Sequence, residues 1–267
     1  MNMFNYKGKL VLVTGASSGL GLSLAEGYHA SGAAVALVAR RVEKLKELAI
    51  RLDPTGRAVR YFSVDLSQAE SIPSLIQQVV QAFGRPVDVL VHCAGSSCYG
   101  EVERIPFEAI AQVTQLNYLA GVRLVQCVVE PMKKRKGGQI VWIGSGSAFR
   151  GIPQAAAYSA SKAAVKSFCE AVRSELSPFG VDLLLVIPGA LRTGFHQAQP
   201  NYSSDQRLRS IGNPGDPRLL VRAILEAGQR RRSLLIYGRY AWIGHHLAYW
   251  APALLDRLFQ LQLKGER

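Results

Sequence analysis

Leu10-Val11-Leu12-Val13-Thr14-Gly15-Ala16-Ser17-Ser18-Gly19-Leu20-Gly21 is a short apolar run that ends in three glycines and passes directly into the helical pattern Leu20–Ala30. A glycine cluster by itself marks an ordinary turn. Between a strand and a helix it does more: the backbone can bend sharply and approach a pyrophosphate without a Cβ in the way, and the first-turn amides of the helix offer N–H groups to the anion. The stretch therefore predicts the opening βα unit of a dinucleotide-binding fold, with Thr14, Gly15, Ser17, Ser18, Gly19, Leu20 and Gly21 at the cofactor.

Working outward, β-branched runs recur at Ala34–Ala39, Ala58–Val64, Val87–Cys93, Gln139–Gly144, Val181–Ile187 and Ser233–Tyr237. They read as apolar runs rather than as alternating ones, which suits strands covered on both faces. Helical stretches lie between them, roughly Leu20–Ala30, Glu43–Leu52, Ser71–Phe83, Phe107–Lys134, Tyr158–Pro178 and Pro217–Gln229, and Gly32, Gly84 and Gly180 are placed to end three of these. No linker or internal repeat interrupts the alternation. The expected fold is α/β, a Rossmann-type doubly wound parallel sheet of about seven strands. Residues 1–238 form its single domain, with a mobile substrate lid over 189–215 that includes the turn former Gly212-Asn213-Pro214-Gly215, and residues 239–267 are a helical extension.

Composition bounds the function. The 267 residues are 48% hydrophobic, enough for a full enzyme core. Thirty-two Lys and Arg against nineteen Asp and Glu give a net charge of +13, which attracts nucleic acid, anionic lipid or a phosphate-bearing cofactor without choosing among them. Nucleic-acid binding would need basic residues interleaved with stacking aromatics and would leave the glycine loop unexplained. Cys93, Cys98, Cys127 and Cys169 lack metal-ligand spacing and read as free thiols with no metal. The first residues lack the charged-then-apolar design of a secretory signal, so a cytoplasmic location is expected.

Cofactor choice should be decided at the end of the second strand, where an acid binds a 2′-hydroxyl and an arginine a 2′-phosphate. The chain reads Val38-Ala39-Arg40-Arg41. Arg40, with Arg41 or Ser17 assisting, suits the phosphate, so NADP(H) is preferred over NAD(H); alternatively the two arginines simply begin a surface helix. Asp65, followed by Leu66, closes the third strand and either holds the adenine edge or caps the next turn. Tyr158 and Lys162 stand at i and i+4 of one helix, with Cβ atoms roughly 5–6 Å apart. The ammonium can favour an ionised phenol; the oxidative direction needs the phenol pKa of ~10 lowered by ~1–3 units, with Lys162 and an oxidised nicotinamide supplying the positive charge.

These motifs together resemble the short-chain dehydrogenase/reductase superfamily, in its short single-domain branch, over about Lys9 to Thr193. Thr14-Gly15-x-x-x-Gly19-x-Gly21 is similar to its cofactor loop. Cys93-Ala94-Gly95 is similar to a strand-end Asn-Asn-Ala-Gly motif, with His92-Cys93 replacing both asparagines. The resemblance implies that Asn117 distorts its helix and organises a proton-relay water, that Ser145 (with Ser147 as competitor) orients the substrate oxygen, and that Tyr158 transfers the proton. It further implies that Lys162 anchors the ribose, and that Pro188, Gly189, Leu191 and Thr193 close over the nicotinamide. The implied activity is NADP(H)-dependent interconversion of a ketone or aldehyde with an alcohol, in a homodimer or homotetramer. A non-catalytic dinucleotide-sensing scaffold is the alternative, although it would be expected to lack one of Ser145, Tyr158 and Lys162.

Tyr240 to Leu255 contains no Asp, Glu, Lys or Arg and is rich in aromatics. It is shorter than the ~20 residues of a bilayer span and interrupted by Gly244 and Pro252. Leu254, Leu255, Leu258, Phe259, Leu261 and Leu263 continue at helical spacing, with Arg239, Arg257 and Lys264 available to anionic headgroups. Residues 239–263 are therefore expected to make peripheral membrane contact, form an oligomer interface or cap the substrate pocket. In the first case a lipid carbonyl becomes the attractive substrate.

Overall fold

A computed structural model describes residues 3–204 and 215–264, with side chains through Leu261. The turn former Gly212-Asn213-Pro214, the side chains of Leu263 and Lys264, and residues 265–267 lie outside the described residues. Seven parallel strands, β1 (Leu10–Thr14), β2 (Ala34–Ala39), β3 (Val59–Ser63), β4 (Val89–His92), β5 (Gly138–Ile143), β6 (Val181–Pro188) and β7 (Leu234–Tyr237), pair in the order β3-β2-β1-β4-β5-β6-β7. This is a Rossmann-type doubly wound sheet. The order reverses between β1 and β4, which opens a crevice at the carboxyl ends of those strands.

Successive side chains of the inner strands enter opposite cores, which is why the runs are apolar throughout. Val11 and Val13 pack beneath α1 (Gly19–Ala30), α2 (Val42–Leu52) and α7 (Pro217–Gln229) through Leu24, Leu45 and Ile224. Leu10 and Leu12 face α3 (Ile72–Phe83), α5 (Ala120–Lys134) and α6 (Ala156–Leu176) through Leu75, Leu124 and Val165. The edge strand β3 departs from the pattern, exposing Arg60 and Tyr61. Gly32, Gly84 and Gly180 all take left-handed φ at helix ends, as their placement predicts.

The long helix expected over Phe107–Lys134 is not continuous. It comprises α4 (Phe107–Thr114), a π-helical turn over Gln115–Leu119, and α5. Beyond β7 the chain forms α8 (Arg239–Trp250) and α9 (Pro252–Lys264). Pro252 separates them, whereas Gly244 does not interrupt α8.

Candidate active site

The carboxyl end of β1 is tied to that of β4 by one hydroxyl. Thr14 Oγ1 accepts the amides of Cys93 and Ala94, both at 3.0 Å, and lies 3.0 Å from His92 Nδ1. Two accepted bonds occupy the hydroxyl lone pairs, so the Thr14 proton is donated to Nδ1, and His92 is the neutral tautomer with hydrogen on Nε2. His92 thus takes the place of the asparagine bonds that the Asn-Asn-Ala-Gly resemblance implies. Its ring is fully buried, edge-on to Trp142 at 5.1 Å. Burial, reinforced by the Lys162 charge, lowers its pKa to about 3, against the Leu116 carbonyl, which acts in the other direction. The unfolded chain takes up this proton below about pH 6.5 while the folded chain remains neutral to about pH 3, so stability falls as pH falls across that window. Between pH 7 and pH 5 the wild type should lose about 2 kcal/mol more than His92→Gln; equal losses in urea unfolding at the two pH values would refute the assignment.

The glycine loop is shaped as a phosphate cradle. A Cβ on Gly21 would lie 2.3 Å from the Gly15 carbonyl, and one on Gly15 (φ +71°) 3.0 Å from the Ala94 amide. The loop and the β4 end therefore approach each other more closely than any side chain allows. Helix α1 begins at Gly19 with no side-chain cap from Ser18 and no acid in its first turn, leaving its amides for an anion. Thr193 reaches over the loop, its Cβ 3.2 Å from where a Gly19 Cβ would stand. A dinucleotide pyrophosphate fits this arrangement. Pro188 ends β6, Gly189 is held by its amide to the Tyr237 carbonyl at 2.7 Å, and Leu191 bridges to Gly215.

At the end of β2 it is Arg41 whose side chain meets the glycine loop. Arg41, the extended residue before α2, donates from Nε and Nη2 to Ser17 Oγ (3.1 and 2.9 Å) and from Nη2 to Ser18 Oγ (2.6 Å). Arg40 is exposed, and its carbonyl accepts from Ser63 Oγ. Backbone direction decides this, since Arg41 turns back onto the loop. Asp65 Oδ1 accepts from the amide and hydroxyl of Ser67, the turn-capping alternative, and the Leu66 side chain is core, leaving only its backbone for a nucleotide.

Asn117 lies in the π-helical turn and is fully buried. Its Oδ1 accepts from Ser96 N (2.8 Å), and Nδ2 donates to Ser96 O and Ser161 Oγ (both 2.9 Å). Both amide hydrogens are spent on protein groups, so only the second Oδ1 lone pair is left for a water. Ser161 in turn donates to the Tyr158 carbonyl at 2.7 Å. Asn117 is thus a clamp between the β4 end and α6. Ser96 and Ser161 were missed from sequence, although Ser161 lies at i+3 from Tyr158 and Ser96 directly follows Gly95.

Tyr158, Lys162 and Ser145 come together. Lys162 is buried, donates to the Ile143 carbonyl at 3.0 Å and lies 5.7 Å from the Tyr158 ring centre. Burial lowers its pKa to about 8. Burial also raises the Tyr158 phenol above its ordinary range, outweighing a hydrogen bond with Ser145 that acts to lower it. The expected depression of the phenol is therefore absent from the protein alone, because desolvation penalises both charged forms. Ser145 Oγ accepts from the amide (3.2 Å) and hydroxyl (3.0 Å) of Ser147. With its lone pairs engaged, Ser145 acts as a donor through its own proton, here toward the Tyr158 oxygen. Burial also pushes the Cys93 thiol up to about 12, so it carries no charge near neutrality.

Residues between Phe195 and Pro200 pack beside this group. Phe195 stands 6.1 Å from the Tyr158 ring, and Tyr99 hydroxyl bonds His196 Nδ1 at 2.6 Å. Gln199 Oε1 accepts from Ser97 N, and the Tyr99 amide donates to Pro200 O. A separate open cleft of about 720 Å³, lined by Phe149, Ile152, Ala156, Ala160, Ala163 and Phe259 among others, lies on the far side of α6 from Tyr158.

Comparison with known proteins agrees with this geometry. Residues 9–203 match the family model for short chain dehydrogenase. A Drosophila melanogaster protein described as dehydrogenase/reductase SDR family protein 7-like is 32% identical over 92% of this chain and 78% of its own. The 3-ketodihydrosphingosine reductase of Bos taurus is 34% identical over 76% of this chain and 63% of its own. Among solved structures, an alcohol dehydrogenase from Thermococcus sibiricus complexed with 5-hydroxy-NADP is 25% identical, superimposes with a TM-score of 0.76, and the match covers 86% of this chain and 96% of that one.

Proposed function

We propose, from the premise that this chain belongs to the short-chain dehydrogenase family of nicotinamide-dependent oxidoreductases, that it is an NADP(H)-dependent carbonyl reductase acting on a hydrophobic, lipid-like ketone or aldehyde. The observation that carries the reading is the meeting of Tyr158, Ser145 and Lys162 at the carboxyl end of the sheet. Burial holds the phenol neutral near pH 7, the form needed to give a proton to a carbonyl oxygen that is gaining negative charge. Ser145, with its lone pairs occupied by Ser147, donates to the same oxygen. Lys162 spends one N–H on Ile143 and keeps two for a ribose, and its positive charge stabilises the phenolate left when the proton departs. When bound, the reduced nicotinamide supplies the hydride. Asn117 acts indirectly, fixing α6 to the β4 end so that Tyr158 keeps its place.

The preference for NADP(H) rests on Arg41. Ser17 and Ser18 accept from the guanidinium and keep their own hydroxyl protons to donate, so three groups converge where a 2′-phosphate would sit. The matched structure with a bound NADP analogue supports this reading. Substrate class rests on the aromatic wall of Tyr99, Phe195 and His196 beside Tyr158, and on the relative that reduces a ketodihydrosphingosine. The test is NADPH consumption with unbranched methyl ketones and aldehydes of rising length. We expect kcat/KM to climb about four-fold per methylene until the wall is filled, from ~0.8 kcal/mol per buried CH2. No turnover with any member, or preference for NADH, would overturn the assignment.

A further inference from the structure

We propose that the outward faces of α8 and α9 form a docking surface for an anionic lipid interface, into which the two helices lie without crossing it. This goes beyond the reaction proposed above and does not depend on it.

The two helices are amphipathic in the wrong sense for water. Helix α8 turns Ala241 and His245 inward; the His245 ring meets that of Phe149 at a tilt of 56° with centres 4.3 Å apart, and Ala241 lies beside Gly189. Its outward face carries Trp242 at 56% exposure, Ile243 and Trp250 at 85%, while Tyr249, 60% exposed at the edge, leans on His245 and Phe149. Helix α9 repeats the arrangement, burying Leu255 while Leu254, Leu258 and Leu261 are exposed. A helix packed on a soluble protein ordinarily directs such residues to the core, and a contiguous apolar face of this kind marks an interaction site. Among the described residues no helix is long and apolar enough to cross a membrane.

Charge selects lipid over a second copy of the chain. Asp256 is the only carboxylate from residue 239 to 261, and it is ion-paired with Arg150. Arg239 and Arg257 are exposed in the same segment. Two such faces meeting about a two-fold axis would set arginine against arginine, whereas an anionic headgroup layer accepts the cations while its acyl boundary takes the tryptophans and leucines. The helices also stand beside the crevice, since α8 rests on Phe149, four residues past Ser145, and on Gly189 at the root of the lid. Docking would bring the mouth of the site to the lipid.

The fluorescence of the protein itself tests this without cofactor or substrate. Of the three tryptophans, Trp142 is buried and Trp242 and Trp250 lie on the proposed surface. Phosphatidylcholine vesicles containing phosphatidylglycerol should sediment the full chain and blue-shift its emission, and brominated acyl chains should quench it. Pure phosphatidylcholine should bind less, and high salt should release the protein. Leu254→Ser with Leu258→Ser keeps the tryptophan signal and should weaken partitioning about ten-fold or more; Trp242→Ser with Trp250→Ser should do the same by sedimentation. Both change exposed positions, and an unchanged far-UV circular dichroism spectrum and melting temperature should report that each variant is folded. An unshifted, unsedimented wild type, or variants that partition equally, would overturn the proposal. So would variants that turn an oligomer into a monomer by light scattering while no vesicle binding is seen, which would assign the face to self-association.

Discussion

Tyr158→Phe is expected to lower NADPH-dependent carbonyl reduction about 10²–10⁴-fold, the usual contribution of a positioned general acid, while the NADPH dissociation constant stays within a few-fold. Only a hydroxyl is removed. The ring keeps its place beside Phe195 and under the Lys162 ammonium, and α6 remains fixed through Asn117 and Ser161, so fold and cofactor site have no reason to change. The pH profile carries a second signature. Lys162 titrates at about 8 because of its burial, and its charge stabilises the phenolate produced as the proton leaves. Reduction in the wild type should therefore hold through neutrality and decline as pH rises past about 8. In Tyr158→Phe that limb should vanish with the step it serves. A variant retaining more than a tenth of wild-type turnover, with the same alkaline limb, would place the proton donor elsewhere.

Much of this arrangement is legible in the residues because it rests on local constraints. The apolar run Leu10–Thr14 followed by three glycines leaves little choice other than a buried parallel strand turning into a helix, and Gly32, Gly84 and Gly180 end helices because φ is positive there. Tyr158 and Lys162 share a face by helical spacing alone. What escapes the sequence depends on backbone direction or long-range burial. Nothing in Gln115-Leu116-Asn117-Tyr118-Leu119 breaks a helix by propensity, so the π-helical turn is visible only in the hydrogen-bond register. That turn places Asn117 against Ser96 and Ser161, 21 and 44 residues away. The raised phenol pKa escapes for a related reason: residue identities show that a lysine is near, and only the packed structure shows that burial outweighs the lowering hydrogen bond from Ser145.

The same distinction decides between neighbouring arginines at the end of β2. Arg41→Asp is expected to raise KM for NADPH about 10- to 150-fold, the equivalent of ~1.5–3 kcal/mol for charge-assisted hydrogen bonds, and to leave KM for NADH within a few-fold. Arg41 contacts both loop serines, so its loss removes the cation and frees Ser17 and Ser18 to rotate, while an aspartate adds a negative charge facing a phosphate. It would favour the 2′-hydroxyl of NADH, which a carboxylate can accept from. Arg40→Ala should change either KM by less than about three-fold, since both arginines are exposed but only Arg41 reaches the loop serines. The turnover number with saturating NADPH should be little affected by either substitution, because the 2′-phosphate is remote from the reacting carbon. If Arg40→Ala carries the loss and Arg41→Asp does not, the guanidinium seen on the glycine loop is a structural brace for Ser17 and Ser18, and phosphate recognition belongs to the residue that sequence position alone would choose.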